Sequence, residues 1–387
     1  MLLYFNMVEL MSGVGDFAAL RAAIDSGADA IYLGLDEFSM RKKGFQLKDI
    51  PKIIKICHSE NVKVYITLNT IIYDKELGKI EKIIEKLKGV DGVIFWDLSV
   101  LELLKKNKIK PILSTQASVS NFESAKFYYN LGIRRIVLAR ELDLKQIESI
   151  IKKIKKEKLD LEIECFVHGA MCVSVSGRCF TSQFLFNKSA NRGECLQPCR
   201  REYTIKDEEG NELKLDNNYV MSAKDLCCAS FLDKLIKIGV DAFKLEGRNR
   251  DARYVSVVTS VYRKIIDKGF EEKDLESLKK VYNRGFSEGF YFKIPNNEFS
   301  NAHGNISKER KEYVGKVTNY YKKKGVIEIK VSNLFKIKDT LIVEGHKTGV
   351  VSFTVDSISN DIKKGELVGV KGPLVRKGDS VYKIVLK

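Results

Sequence analysis

The 387-residue sequence has few histidines, few prolines and no long apolar run, and each shortage excludes a class of protein. Four histidines are too few for a histidine-rich zinc site. Five prolines and the lack of low-complexity tracts indicate an ordinary globular chain. No stretch reaches about 18 uncharged apolar residues, so we expect no membrane span, and the first residues lack the basic region of a signal peptide. The sequence also lacks the G-x-S-x-G and H-E-x-x-H motifs of common hydrolases.

What the sequence does have is basic charge and clustered cysteine. Lysine and arginine number 67 against 51 acidic residues, a formal net charge of +16. This excess favours a polyanionic partner, nucleic acid first, although lysine-rich helix faces such as KDIPKIIKI are more commonly a solvated surface. We expect a cytoplasmic protein, in which the eight cysteines stay reduced and clustered thiols bind metal or do chemistry.

Apolar runs that alternate with amphipathic helical stretches occupy residues 1–270 and predict a parallel sheet. Eight predicted strands, each followed by a helix, favour a closed (β/α)8 TIM-type barrel. The alternative is an open doubly wound sheet, but no G-x-G-x-x-G follows the first strand. A glycine ends the helix before four of the strands, where a left-handed residue is common. The predicted strands are residues 8–13, 30–35, 63–69, 92–97, 110–117, 135–140, 162–169 and 242–247.

One connection in this barrel is much longer than the others. About fifty residues, approximately 170–222, separate the seventh strand from its predicted helix and contain four of the eight cysteines. Loops that follow the strands form the catalytic face of such barrels, so we expect these cysteines to lie over the barrel mouth. After the barrel we predict a helical connector at 271–312 and a small antiparallel β-barrel domain at 313–387, because short strands and turn signals recur there.

The four cysteines of the long connection can ligate one metal centre; they are Cys172, Cys179, Cys195 and Cys199. The CLQPC pair is close to a zinc knuckle. The wider first spacing suits a [4Fe–4S] cluster at least as well, so spacing alone leaves iron–sulfur, zinc and unrelated thiols open. Either Cys227 or Cys228 could replace one ligand, although a buried apolar role is favoured for both.

Polar residues on the last two barrel strands are the candidates for catalysis: Glu164, His168, Lys244 and Glu246. Alternation along the seventh strand predicts that Glu164 and His168 point into the barrel, with His168 at the end where a proton donor belongs. A hydrogen-bonded structural histidine and a buried Lys244–Glu246 ion pair are the alternatives.

Other polar residues, at strand ends and in the cysteine loop, predict a cationic mouth suited to a carboxylate or phosphate. The candidates for substrate binding are Asn69, Gln116, Arg140, Arg178, Arg192 and Arg248, with Glu141 and Arg200 beside them.

Several segments carry a family resemblance: ECFVHGAMCVSVSGRC, NRGECLQPCRREY, SAKDL and KLEGRNRDARYVSVVTSVYRKIID. The chain resembles the collagenase-like peptidase family of unassigned catalytic type, family 32, and within it the tRNA 5-hydroxyuridine hydroxylation proteins. The match runs nearly end to end, with SGADAIYLG and LSTQAS early and RGFSEGF late. One departure is LMSGVGD, where relatives usually have a proline-containing S-P-A-G turn.

This resemblance implies a barrel with a [4Fe–4S] cluster held by the four cysteines at its mouth. It also implies hydroxylation of the tRNA wobble uridine, of 23S rRNA or of ubiquinone precursors, with prephenate as the co-substrate. We therefore predict an RNA-modifying oxidoreductase whose partners are tRNA or another structured RNA and a small dicarboxylate, with no membrane partner and no prediction of oligomeric state. Proteolysis, with one of the thiols and His168, is the alternative, and a cluster-bearing binding partner without turnover is a third hypothesis.

Overall fold

The computed structural model describes residues 8–40, 44–213, 219–302, 304–359 and 362–387. Its first part alternates strands and helices where the apolar pattern predicts them. The elements are β1 (Glu9–Gly13), α1 (Phe17–Asp25), β2 (Ala30–Gly34), α2 (Ile50–His58), β3 (Lys63–Leu68), α3 (Leu77–Glu85), β4 (Gly92–Phe95), α4 (Leu98–Lys106), β5 (Pro111–Leu113), α5 (Phe122–Asn130), β6 (Arg135–Val137), α6 (Leu144–Lys156) and β7 (Glu162–Ala170).

Short-range signals set the ends of these helices. Asp16 caps α1 by accepting from the Ala19 amide at 2.9 Å, and Asp143 caps α6 by accepting from the Gln146 amide at 2.8 Å. The four glycines predicted to end helices all have positive φ: Gly27, Gly89, Gly132 and Gly239. A glycine adopts this conformation without the steric cost that a side chain would add.

The long connection after β7 contains α7 (Thr181–Phe186) and the hairpin of β8 (Ile205–Lys206) and β9 (Glu212–Leu213). It ends in a strand, β10 (Asp225–Cys227), which pairs antiparallel with residues 168–170 at the end of β7. The helix predicted after the long connection begins only at α8 (Leu232–Ile238), so the prediction is wrong for the residues of β10. Backbone pairing with the projecting end of β7 outweighs the local helical pattern, since propensity is the weaker effect.

After α8 come β11 (Ala242–Leu245) and α9 (Ala252–Lys268). Strand β11 pairs in parallel with both β1 and β7, so β1–β7 and β11 close into an eight-stranded parallel barrel. The predicted TIM-type (β/α)8 barrel is confirmed. Helices cover its outside, and its interior is filled by an apolar cluster of Met11, Ala30, Tyr32, Tyr65, Ile94, Ile112 and Val137.

The segment that follows the barrel is less helical than predicted. Its described residues hold one helix, α10 (Glu272–Lys279), and the short β12 (Phe286–Ser287), which pairs with β10. The segments NRGFSEGF and PNNEFSN are rich in Gly, Asn and Ser, which favour turns. The prediction of a helical connector is therefore wrong beyond residue 279.

In the C-terminal part, the residues that the structure describes form six strands: β13 (Glu309–Tyr321), β14 (Val326–Val331), β15 (Thr340–Gly345), β16 (Gly349–Thr354), β17 (Leu367–Lys371) and β18 (Ser380–Leu386). They make an antiparallel half-barrel in the order β16-β15-β18-β13-β14-β17, with an apolar core of its own. It packs against the barrel at α1 and at the start of α9, where Lys311 Nζ lies 2.8 Å from Asp251 and Arg253 pairs with Glu309. Within the described ranges, every helix is too short or too polar to cross a membrane.

Candidate functional site

The carboxyl ends of the barrel strands surround a cavity, which we call the mouth cavity. Of the ten non-cysteine residues predicted for the site, six line it: Asn69, Gln116, Arg140, Lys244, Glu246 and Arg248. They come from four different strand ends or the residues just after them. Parallel strands bring their carboxyl ends to one face, which is why residues far apart in sequence meet here.

Two arginines give the mouth cavity its positive charge. Arg248 is buried; its Nη1 donates to Thr67 Oγ1 at 2.9 Å and its Nη2 donates to Ser39 Oγ. Arg140 Nη1 donates to the Ala170 carbonyl at 3.1 Å, and its guanidinium lies 5.2 Å from the centre of the Phe166 ring. Guanidinium groups held in this way are suited to a carboxylate or phosphate.

The loop after β1 explains how Arg248 reaches its place. A Cβ at Gly15 would lie 2.1 Å from the carbonyl oxygen of Arg248, so a side chain there would push the two segments apart. The second glycine of the sequence LMSGVGD therefore allows the close approach that this arrangement requires.

Beneath the mouth cavity the barrel holds a network of buried charges. Lys244 Nζ lies 2.7 Å from Glu164 Oε1, and Arg135 Nη1 lies 3.7 Å from Glu164 Oε2. Arg135 also pairs with Glu9 at 2.5 Å. Burial lowers the pKa of Lys244 although Glu164 opposes this. Lys244 therefore pairs with Glu164 and not with Glu246, and Glu164 lies below the cavity instead of lining it.

Glu246 has a different neighbour. Tyr32 Oη donates to Glu246 Oε2 at 3.0 Å, and burial together with the charge of Glu246 raises the pKa of Tyr32. The phenol therefore stays protonated and holds the carboxylate at the wall of the cavity. Glu246 is the acidic side chain among the predicted residues that faces this space.

The prediction that His168 points into the barrel is wrong. Phe166 is opposite Lys244 and His168 is opposite Leu245, so β7 carries a bulge at Val167 and the alternation is interrupted. His168 Nδ1 lies 3.2 Å from Tyr262 Oη on α9, and its ring packs near Tyr254. Burial, assisted by the charge of Arg250, lowers the pKa of His168 to about 3, so the ring is neutral and structural.

A second cavity, the cysteine cavity, adjoins the first. It is lined by Cys172, Cys195 and Cys199, and it shares Ala170, Cys172 and Glu246 with the mouth cavity. All eight cysteines lie in the described ranges and none forms a disulfide. The cysteine cluster therefore lies beside the barrel mouth, as the loop position predicts.

The four sulfurs of the connection affect one another. Burial raises the pKa of Cys199, Arg200 opposes the rise, and the charges of Cys172, Cys195 and Cys179 add to it. Backbone amides at residues 181 and 197 donate to the Sγ atoms of Cys179 and Cys195, both at 3.4 Å. Within the described ranges, no group of three or more His, Cys, Asp or Glu side chains lies close enough together to hold a metal ion.

Comparison with known proteins identifies the family. Residues 15–301 match the sequence profile described as peptidase family U32. The chain belongs to this family. The resemblance predicted from the cysteine segments is confirmed.

Similar U32 chains carry different functional names. An uncharacterized protease of Methanocaldococcus jannaschii is 42% identical, over 97% of this chain and 98% of its own. A collagenase of Porphyromonas gingivalis is 34% identical, over 98% of each chain. The tRNA hydroxylation protein P1 of Bacillus subtilis is 31% identical, over 95% of this chain and 90% of its own.

Two predicted substrate-binding arginines of this U32 protein lie outside the mouth cavity. Arg192 pairs with Glu76 and donates to the Ile71 carbonyl at 2.5 Å, so it fastens the cysteine connection to the barrel. Arg178 is exposed; it donates to Ser118 Oγ at 3.0 Å and lies 5.7 Å from the ring of Trp96. These contacts do not support the prediction that the two arginines bind a substrate in the mouth cavity.

Sequence reasoning missed the far wall of the cysteine cavity. It is formed by Asn249, Arg250, Tyr282 and Arg284. Arg250 lies 3.4 Å from the centre of the Tyr282 ring, and Arg284 makes a buried ion pair of 2.7 Å with Asp225. The motifs KLEGRNRDARY and RGFSEGF contain three of these four residues. The arginines of these two motifs are the sequence feature that could have predicted this wall.

Proposed function

We propose that this U32 protein hydroxylates a base of a structured RNA, with the wobble uridine of tRNA as the target and 5-hydroxyuridine as the product. The observation that carries the proposal is the shared wall of the two cavities, where Cys172 and Glu246 border both the cysteine cluster and the cationic mouth. The Bacillus subtilis relative is named a tRNA hydroxylation protein, and the net charge of +16 suits an RNA partner.

The donor types suit a [4Fe–4S] cluster, which takes four cysteine thiolates and is tuned by hydrogen bonds to the sulfurs. The four thiols come from one connection, two of them accept backbone N–H bonds, and the cavity wall carries Arg200, Arg250 and Arg284. Of these arginines, Arg200 offsets the negative charge of a thiolate at Cys199. When bound, such a cluster would transfer electrons or hold an oxygen donor derived from the co-substrate, which hydroxylation of a C–H bond requires. Zinc is the alternative metal on the CLQPC spacing alone, because in the part of the chain that the structure describes no three of these side chains lie close enough together to hold one ion.

The residues of the mouth cavity would bind and orient the small substrate. Arg248 and Arg140 would hold a carboxylate of a dicarboxylate such as prephenate, with Asn69 and Gln116 fixing its orientation. Asn69 Nδ2 donates to Gln116 Oε1 at 3.4 Å, so the two amides are already aligned. Glu246, held by Tyr32, would accept a proton at the boundary between the cavities. Lys244 and Glu164 would keep the charge beneath the cavity balanced.

The test is a comparison of tRNA nucleosides by mass spectrometry in a deletion strain and in the same strain complemented with the wild-type gene or with Glu246→Gln. We expect 5-hydroxyuridine to disappear on deletion, to return with the wild-type gene and to stay low with the variant. Unchanged 5-hydroxyuridine in the deletion strain would contradict the proposal.

Proteolysis is the second candidate, because a collagenase covers 98% of this chain at 34% identity. A cysteine peptidase needs a histidine beside its thiol. Of the three histidines that the structure describes, His168 faces α9, His58 pairs with Asp91 at 2.8 Å and His346 packs against Phe17. Incubation of anaerobically purified protein with gelatin and casein tests this candidate. More than one cleavage per enzyme molecule would favour it.

A further inference from the structure

The cysteine connection presents an apolar surface to solvent. Phe184 is 87% exposed and Phe180 is 59% exposed, and the two rings lie 6.3 Å apart between centres at an angle of 62°. Leu185 and Leu196 are exposed beside them. We call these four residues the aromatic rim. Two aromatic rings left in water at one place mark a binding surface more often than isolated apolar residues do.

The backbone of the aromatic rim is well held although its side chains are exposed. Ser182 on α7 is buried, and its Oγ accepts from the Leu196 amide at 3.0 Å. The amide of Thr181 donates to Cys179 Sγ, so α7 is tied directly to the cysteine cluster. The outward face of α7 therefore presents Phe184 and Leu185 on a fixed support.

The charge around the aromatic rim is strongly of one sign. Residues 173–201 contain five lysines and arginines and a single acidic residue, Glu194. Arg192 pairs with Glu76 of the barrel and Arg200 donates to the Ala223 carbonyl within the connection, which leaves Arg178, Lys188 and Arg201 exposed. Aromatic rings interleaved with cations are the composition that binds unpaired nucleotides, because the rings stack on bases and the cations contact phosphates.

The aromatic rim also lies next to the barrel mouth. Gly177 lines the mouth cavity, and the chain passes from it through Arg178 and Cys179 to Phe180. An RNA strand held at the aromatic rim would therefore be adjacent to the cavity. An enzyme that modifies a base must take that base out of its stack, and stacked neighbours hold the strand while this happens.

We propose that the aromatic rim is a stacking platform for unpaired bases that flank the target nucleotide of the RNA substrate, with Phe184 and Phe180 as its main contacts. This inference rests on the proposed function, since it takes the partner to be RNA. It makes these residues positioning residues that select loops over paired stems.

The experiment measures binding of two labelled RNAs by fluorescence anisotropy: a stem–loop and a duplex of the same length. The variants are Phe184→Ala and Phe180→Ala/Phe184→Ala, and Phe127→Ala is the matched control because Phe127 is 60% exposed on α5. We expect Phe184→Ala to weaken binding of the stem–loop by roughly 5- to 150-fold and to leave the duplex and the salt dependence unchanged. Lys188→Ala/Arg201→Ala should instead reduce the salt slope by about 1.5.

Three results would overturn the inference: equal stem–loop binding by wild type and Phe184→Ala, an equal loss for stem–loop and duplex, or no RNA binding by the wild type. A change of oligomeric state in Phe184→Ala with RNA binding intact, seen by analytical ultracentrifugation, would assign the surface to a protein contact instead. The nucleoside comparison separates this inference from the proposed function. If deletion abolishes 5-hydroxyuridine but Phe184→Ala binds RNA normally, the role of the aromatic rim is refuted and the proposed reaction stands. If 5-hydroxyuridine is unchanged on deletion but Phe184→Ala weakens binding of the stem–loop, the proposed reaction is refuted and the aromatic rim stands.

Discussion

The buried pair of Lys244 and Glu164 gives a prediction about stability that is independent of activity. Lys244→Met removes the lysine partner of Glu164, which has no exposure to solvent and keeps Arg135 3.7 Å away. Breaking a buried ion pair typically costs about 3–5 kcal/mol. Because Arg135 still compensates part of the charge, we expect the lower end, a loss of about 3 kcal/mol in the free energy of unfolding.

The double variant Lys244→Met/Glu164→Gln removes both charges. Each single variant leaves an uncompensated partner and the double variant leaves none, so its loss should be smaller than that of either single variant and well below their sum of about 6 kcal/mol. The matched control is Lys237→Met, which breaks an exposed i,i+4 pair with Asp233 and should cost less than about 0.5 kcal/mol.

The assay is urea unfolding followed by far-ultraviolet circular dichroism, with midpoints compared at equal slopes. Additive losses in the double variant would refute the reasoning, because they would mean that the two side chains do not compensate each other. A loss below about 1 kcal/mol in Lys244→Met would do the same, since that is the range of a solvated pair.

Three further predictions concern the histidine, the cluster and the anion site. The folded-state pKa of His168 is about 3, below its unfolded value. The neutral ring therefore contributes its full stability above the unfolded pKa, and this contribution is lost as the pH falls from there towards the folded-state pKa. His168→Gln should therefore reduce the loss of unfolding free energy between pH 7 and pH 5 by about 2 kcal/mol, measured by urea titration. Cys172→Ala should lower the iron content of anaerobically purified protein while Cys57→Ala, far from the cluster on α2, does not; equal iron would contradict the ligand assignment. Arg248→Lys should raise KM for the dicarboxylate more than tenfold, about 1.4 kcal/mol, while Arg178→Lys leaves it unchanged in the same turnover assay.

The barrel could be predicted because its signals are local. Strands covered on both faces are apolar runs, and glycines with positive φ, such as Gly27 and Gly239, separate them from the preceding helices. Strand β10 could not be predicted, because the segment KDLCCASF has apolar residues at helical spacing. Its conformation depends on pairing with β7, which is a contact made only in the folded chain.

The placement of a site residue could be predicted where its position at a strand end determines it. It could not be predicted where a contact with another part of the folded chain determines it. Arg248 and Gln116 follow barrel strands and line the mouth cavity. His168 also lies near the end of a strand, but the bulge at Val167 turns it outward, and a bulge leaves no mark in the alternation of a single strand. Arg192 has the same charge as Arg248, and only its contact with Glu76 shows that it fastens the connection.

The sequence contains a single tryptophan, and the structure places that residue, Trp96, directly after β4 with Arg178 against its ring. Its intrinsic emission therefore comes from one location beside the entrance of the barrel, undiluted by indoles elsewhere. Ligand entry, metal loading and ordering of the cysteine connection can each be followed through that emission without attaching a dye.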